Sequence, residues 1–246
     1  MTDRTRLWLA WGVHLFTASG ALVGALALLA VHAGDLRAAA LWMLLAMAID
    51  SLDGGMARAV GVSRVLPHFD GRRLDDMVDY LNYVIVPCVF LVAGGLLPHW
   101  WAAAPPILAS AYGFSQVDAK TEDDFFLGFP SYWNVIAIYA WLLEVPPTPL
   151  AAIVAGFALL VFVPVKYISP SRTLVLRRTN LLFAAGWLVT YAALLVQMPD
   201  PAPIVVGLSL GYVVYYVAAS VYLTLRSRGS AALPAGGGQS AASQPR

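Results

Sequence analysis

Apolar residues fill long continuous stretches of this chain, and polar residues gather between them. A bilayer core needs about 20 apolar residues per helix. Runs of that kind cover Leu7 to Val31, Arg37 to Gly54, Leu74 to Leu97 and His99 to Gln116. Tyr132 to Val145, Leu150 to Lys166, Thr179 to Met198 and Pro203 to Leu225 follow, parted by the turn clusters Val145-Pro-Pro-Thr-Pro149 and Pro199-Asp-Pro-Ala-Pro203. The pattern predicts an all-α, polytopic integral membrane bundle of about eight transmembrane helices. The fifth and sixth runs are short, and a re-entrant hairpin there would reduce the count without changing the sidedness of the rest. Pro105-Pro106 would kink the fourth run, and Trp100 and Trp101 stand where interfacial anchors belong.

Composition agrees. Of 246 residues, 60% are hydrophobic and 12% charged, with a mean hydropathy of +0.72, whereas a soluble domain carries roughly 25% charged residues. A soluble globular protein is excluded. The first apolar run is too long for a cleaved signal, whose core spans about 7 to 15 residues, and predicts a retained helix. Fifteen Lys and Arg against fourteen Asp and Glu leave no field that would attract nucleic acid. Cys88 is the single cysteine and lies in an apolar run, so it forms neither a disulfide framework nor a thiolate zinc site. His14, His32, His68 and His99 lack ligand spacing.

Positive residues concentrate in cytoplasmic connections. Counting alternate connections places 14 of the 15 Lys and Arg on one side and Arg37 alone on the other. Both termini are therefore predicted to be cytoplasmic. Residues 1–226 form the transmembrane domain, and 227–246, rich in Gly, Ser, Ala and Pro, read as a disordered cytoplasmic tail.

Acidic residues in a membrane helix are costly and mark function. Asp50 and Asp53 stand i,i+3 at the end of the second run, and Asp75 and Asp79 stand i,i+4 at the start of the third. Each pair shares a helical face. The loop of roughly twenty residues returns the chain to the same membrane surface, so the two faces can pool their carboxylates. Pooled carboxylates repel unless cations compensate. Local arginines are one source, and hard divalent ions, which take oxygen ligands and share them with phosphates, are the other. Asp70 and Asp76 fall off these faces and read as solvated, Asp76 alternatively as a supporting partner.

Gly54 and Ala57 open a small-residue groove beside Asp53, with Arg58 one turn beyond Gly54, and Gly71 stands four residues before Asp75. Alone, such a groove would be read as close helix packing; next to carboxylates it reads as a seat for a nucleotide diphosphate.

From Asp50 to Asp79 the chain reads D-x2-D-G-x2-A-R-x12-G-x3-D-x3-D. This resembles the signature of the CDP-alcohol phosphotransferases, integral membrane enzymes of phospholipid synthesis with a six-helix core. The central spacer, longer than the usual eight or nine residues of that signature, is similar to that of the bacterial phosphatidylcholine synthases within the family. So is Phe125-Phe-Leu-Gly-Phe-Pro-Ser-Tyr-Trp-Asn134. The signature covers some thirty residues.

The resemblance implies two metal ions, Mn²⁺ or Mg²⁺, held by Asp50, Asp53, Asp75 and Asp79, with Asp79 also the general base. It implies that Asp53, Gly54, Ala57, Arg58 and Gly71 line the nucleotide. The reaction implied is transfer of the phosphatidyl group of CDP-diacylglycerol to choline with release of CMP, at the cytoplasmic face of a bacterial inner membrane, by a homodimer. Serine or another small alcohol is the alternative acceptor. A transporter is the rival of another class, although transporter sites lie near the midplane and these acids cluster at one end. An aspartate-rich prenyltransferase would lack the Gly-x2-Ala-Arg insert.

Two further groups are expected around this centre. Lys166 and Arg172, at the end of the sixth run, could hold the lipid phosphate or act only as snorkelling topology determinants. A quaternary ammonium offers no N–H donor, so choline would be held by aromatic faces. Tyr83, one turn deeper than Asp79, and Tyr132 and Trp133, which open the fifth run, are the expected cage, with an interfacial aromatic belt as the alternative.

Overall fold

The computed structural model describes residues 2–116, 125–169, 173 and 177–231. Helix α1 (Asp3–His32) starts at Thr2, whose side chain accepts from the Thr5 N–H. After Gly34, α2 (Leu36–Val60) is capped by Asp35 accepting from Ala38 N–H at 2.8 Å. Left-handed Gly61 (φ 71°) ends it, a conformation open to glycine without strain. A short α3 (Val62–Val65) leads to Asp70, which caps α4 (Gly71–Asp79) by accepting from Arg73 N–H at 3.1 Å. The loop aspartate read as solvated is exposed, and it also caps a helix.

Directly after Asp79 the helix widens into a π turn, Tyr80–Ile85, before resuming as α5 (Val86–Ala93). The cause is in the sequence. Pro87 has no N–H and its ring crowds the carbonyl four residues back; the wider turn, in which Val86 N–H reaches Leu81 C=O, absorbs the conflict. Together Gly71–Ala93 is long and apolar enough to cross a membrane, as are Asp3–His32, Arg178–Gln197 and Pro203–Arg226.

These four are the described helices that meet both criteria. The second run has the length, but Asp50, Asp53 and Arg58 load its final turns. Helices α7 (Trp133–Leu142) and α8 (Pro147–Leu160), from the fifth and sixth runs, have 10 and 14 residues. The fourth run differs from expectation: a 3₁₀ turn (Trp100–Ala103) precedes α6 (Ala104–Ser115), and Pro105 and Pro106 fall in the first turn of α6, where a proline sacrifices no intrahelical bond. They start the helix instead of kinking it. Trp100 and Trp101 are exposed.

The chain is a helical membrane protein with one small addition to the expected all-α bundle. Strand β1 (Phe125–Leu127) pairs antiparallel with β2 (Lys166–Ile168), Phe125 opposite Ile168. Gly128 follows β1 at φ 83°, and a Cβ there would come 2.2 Å from Val161 O, so only glycine fits. Its N–H donates to Val165 O at 2.9 Å and that of Phe129 to Leu160 O at 3.0 Å, pinning the segment before α7 to the end of α8. Helix α9 (Arg177–Gln197) precedes α10 (Pro203–Ala231), which passes the boundary expected at residue 226; residues 232–246 lie outside the described part.

Apolar side chains face outward as well as inward. Trp8, Leu15, Leu22 and Leu29, seven residues apart on one stripe of α1, are exposed, as suits a lipid-facing surface. On the inward side α1 carries Gly20 and Gly24. A Cβ at Gly20 would meet Val78 Cγ1 at 2.8 Å, and one at Gly24 would meet Asn82 Oδ1 at 2.5 Å. This small-residue spacing lets the α4 and π segments lie against the α1 backbone. Asn82 Nδ2 donates to Gly20 O at 3.0 Å across the contact. The main core lies beyond, around Phe90, Leu91, Trp133, Ile138, Leu150 and Tyr191, with Cys88 buried in it as a small hydrophobe.

Candidate active site

Close packing of α1, α2 and α4 brings the acids together. One carboxylate oxygen from each of Asp50, Asp75 and Asp79 lies within 4.8 Å of the others, and all three residues are half-buried. Asp53, one turn along α2 from Asp50, is buried. Thr17, the Gly54 N–H, Asp75 and Arg58 surround its carboxylate. Thr17, Asp50, Asp53, Asp75, Asp79 and Tyr83 all line one small pocket. Three anionic oxygens at this separation repel one another, and the repulsion is relieved when a multiply charged cation sits among them. The donor set, all carboxylate oxygen and partly sheltered, suits a hard divalent ion and not a soft one.

The nucleotide-lining candidates are arranged less uniformly. The Arg58 side chain turns back along α2, with Nη1 only 3.3 Å from where a Gly54 Cβ would lie. Gly54 thus makes room for its own arginine. At Gly71 the space a Cβ would need is filled by the His14 ring, at 2.6 Å. His14 packs at 4.4 Å, centroid to centroid, against Phe69. Asp76 is half-buried.

The aromatic candidates separate. Tyr83 donates its hydroxyl to Asp50 Oδ2 at 2.7 Å. Tyr132 lies 5.9 Å from it, centroid to centroid, and close enough to Asp50 and Asp79 to feel both charges. Trp133 is fully buried; its Nε1 donates to Ser110 Oγ at 2.7 Å and its ring meets Phe129 edge-on. It sits in the helix packing. Lys166 is in β2, with Nζ 5.5 Å over the Phe125 ring, and Arg172 lies outside the described residues.

No protein-family model matches the chain. Curated relatives do. The phosphatidylcholine synthase of Legionella pneumophila is 41% identical over 225 residues, covering 87% of this chain and 88% of that protein. That of Pseudomonas aeruginosa is 37% identical, covering 88% and 92%, and that of Borreliella burgdorferi is 33% identical, covering 90% and 97%. The chain belongs to the phosphatidylcholine synthase family.

In this family member the sequence reading missed several residues around the acids and around Tyr132. Thr17 and Asn82 are uncharged and gave no signal, although Gly20 and Gly24 mark the contact that brings them in. Tyr216 of α10 meets Tyr132 at 6.2 Å and stacks at 6.3 Å on Tyr167 of β2. It donates to Ile168 O at 3.0 Å. These three tyrosines come from distant segments, so no local spacing could have grouped them.

Proposed function

We propose that the chain transfers the phosphatidyl group of CDP-diacylglycerol to choline and releases CMP, within the wider CDP-alcohol phosphotransferase family. Membership of the phosphatidylcholine synthase family makes it an enzyme of phosphatidylcholine synthesis. The chemistry is carried by one observation, the convergence of Asp50, Asp75 and Asp79 within 4.8 Å. Asp50, Asp53, Asp75 and Asp79 would hold two divalent ions, Mn²⁺ or Mg²⁺. Bound there, the ions supply charge neutralisation and a template for the donor diphosphate.

The protein's own groups do the rest. Asp79 accepts the choline hydroxyl proton as that oxygen attacks the phosphatidyl phosphorus, and the bond from phosphorus to the CMP oxygen breaks. General-base assistance of this kind is worth about 10²- to 10⁴-fold. Arg58 and the backbone of Gly54 and Ala57 hold the nucleotide end, Gly71 stands at its edge, and Lys166 with Arg172 balance the lipid phosphate. The Tyr132 face receives the trimethylammonium, an attraction of about 0.5 to 2 kcal/mol. The acids lie in the C-terminal half of α2 and the first turns of the Gly71–Ala93 span, toward one membrane surface, so the acyl chains enter sideways from the bilayer. The charge distribution of the connections supports a cytoplasmic position for this end and both termini, and the family resemblance is the support for an inner-membrane homodimer.

The test is a detergent assay with labelled CDP-diacylglycerol and parallel tubes of choline, serine, glycerol 3-phosphate and inositol. Labelled phosphatidylcholine from the choline tube alone is expected. Product from serine in its place would reassign the acceptor.

A further inference from the structure

The hydrogen bond from Tyr83 to Asp50 has no part in the transfer steps above. It is nevertheless short, 2.7 Å, and made by a tyrosine that is 7% exposed. A buried phenol needs a partner, and the neutral solution is a backbone carbonyl. Tyr80, in the same π turn, takes it by donating to Ile107 O at 3.0 Å. Tyr83 instead reaches across from the turn to α2 and donates to the carboxylate that faces Asp75 and Asp79. It stands in the π turn that follows Asp79.

A hydrogen bond from a neutral donor to a carboxylate is among the stronger kinds. It occupies one lone pair of Oδ2, which disfavours ligation of a cation by both Asp50 oxygens at once. This matters for which cation fits. Mg²⁺ requires near-octahedral geometry at about 2.0 to 2.1 Å and usually keeps several waters, whereas Ca²⁺ accepts six to eight oxygens and takes carboxylates through both. Resting on the reading of the aspartates as a divalent-cation site, we infer that Tyr83 is a positioning residue of that site: it keeps Asp50 a one-oxygen ligand and so favours small octahedral cations over Ca²⁺. Its ring is then not a wall of the choline site, which falls to Tyr132 and its neighbours. Outer partners of metal ligands typically contribute about 10- to 100-fold in metal affinity.

The test uses the purified full-length chain in detergent without lipid substrate. Binding of Mn²⁺ is followed by the electron paramagnetic resonance signal of the free ion, and Mg²⁺ and Ca²⁺ are titrated as competitors. Tyr83→Phe should weaken Mn²⁺ about 10- to 100-fold and raise the competitive strength of Ca²⁺ relative to Mg²⁺. Tyr80→Phe removes a hydroxyl from the same turn away from the acids and should behave as the unmodified chain. Because both variants lose one such hydroxyl, any general loosening of the turn is matched between them. Unchanged affinity and competition order in Tyr83→Phe would overturn the inference, as would an equal loss in Tyr80→Phe. Failure of the unmodified chain to bind Mn²⁺ saturably would instead remove the metal site itself, and the inference with it.

Discussion

Asp50, Asp75 and Asp79 come from α2 and α4, neighbours along the chain and packed on α1, where Gly20 and Gly24 admit the α4 and π segments, whereas Tyr132, Tyr167 and Tyr216 come from three distant segments and meet through rings and a hydroxyl bound to a carbonyl. The first region holds like charges close together, which only a frame without slack can do. The second presents faces to a soft, non-directional contact, and a few ties suffice. The acid side should therefore respond steeply to small changes in chemistry or spacing, and the aromatic side in graded steps.

The largest effect expected is at the reacting proton. Asp79→Asn keeps the shape and removes the base, and the turnover number should fall by about 10²- to 10⁴-fold, read as labelled phosphatidylcholine formed per minute at saturating substrates. Retention of most of the turnover would move the base elsewhere. Next comes the frame. Gly24→Ala puts a methyl where Asn82 Oδ1 stands 2.5 Å away; crowding of this kind costs about 1 to 3 kcal/mol. Thermal unfolding in detergent should shift downward and Mn²⁺ binding weaken together. A variant as stable as the parent would show that the frame has slack after all.

The aromatic side should be gentler. Tyr132→Leu and Tyr216→Leu should each raise the Michaelis constant for choline by about tenfold, the loss of one cation-π face, while that for CDP-diacylglycerol changes little. Trp133→Leu should lower stability and leave choline saturation intact, since its ring is held by Phe129 and Ser110. If Trp133→Leu alone alters choline saturation, the sequence-based cage was the better one. The smallest effect belongs to Asp76→Asn, which should reduce turnover far less than the same change at Asp79.

The two regions also differ in how far the sequence reveals them. The acids were legible because i,i+3 and i,i+4 spacing places Asp50 with Asp53 and Asp75 with Asp79, and a short loop joins the two helices. Eight apolar runs likewise announced the helices, although the short α7 and α8 and the strand pair around Gly128 depend on contacts made far along the chain. The π turn had a readable cause in Pro87, but which helical register absorbs a proline is decided by packing. Gly71 shows the limit of a motif: its open side is taken by His14, a residue of another helix. Tyr167 and Tyr216 carried no local pattern, and Tyr83, correctly placed near the acids by its spacing from Asp79, binds one of them through its hydroxyl.

The central claim is that the clustered aspartates act through a divalent cation to make phosphatidylcholine. It is tested most directly by following labelled CDP-diacylglycerol and choline with the purified chain in excess EDTA, then after adding back Mn²⁺ or Mg²⁺. The account predicts no product in EDTA, restoration by either ion, and no restoration in Asp75→Ala. Full synthesis of phosphatidylcholine in EDTA, or by Asp75→Ala, would contradict it.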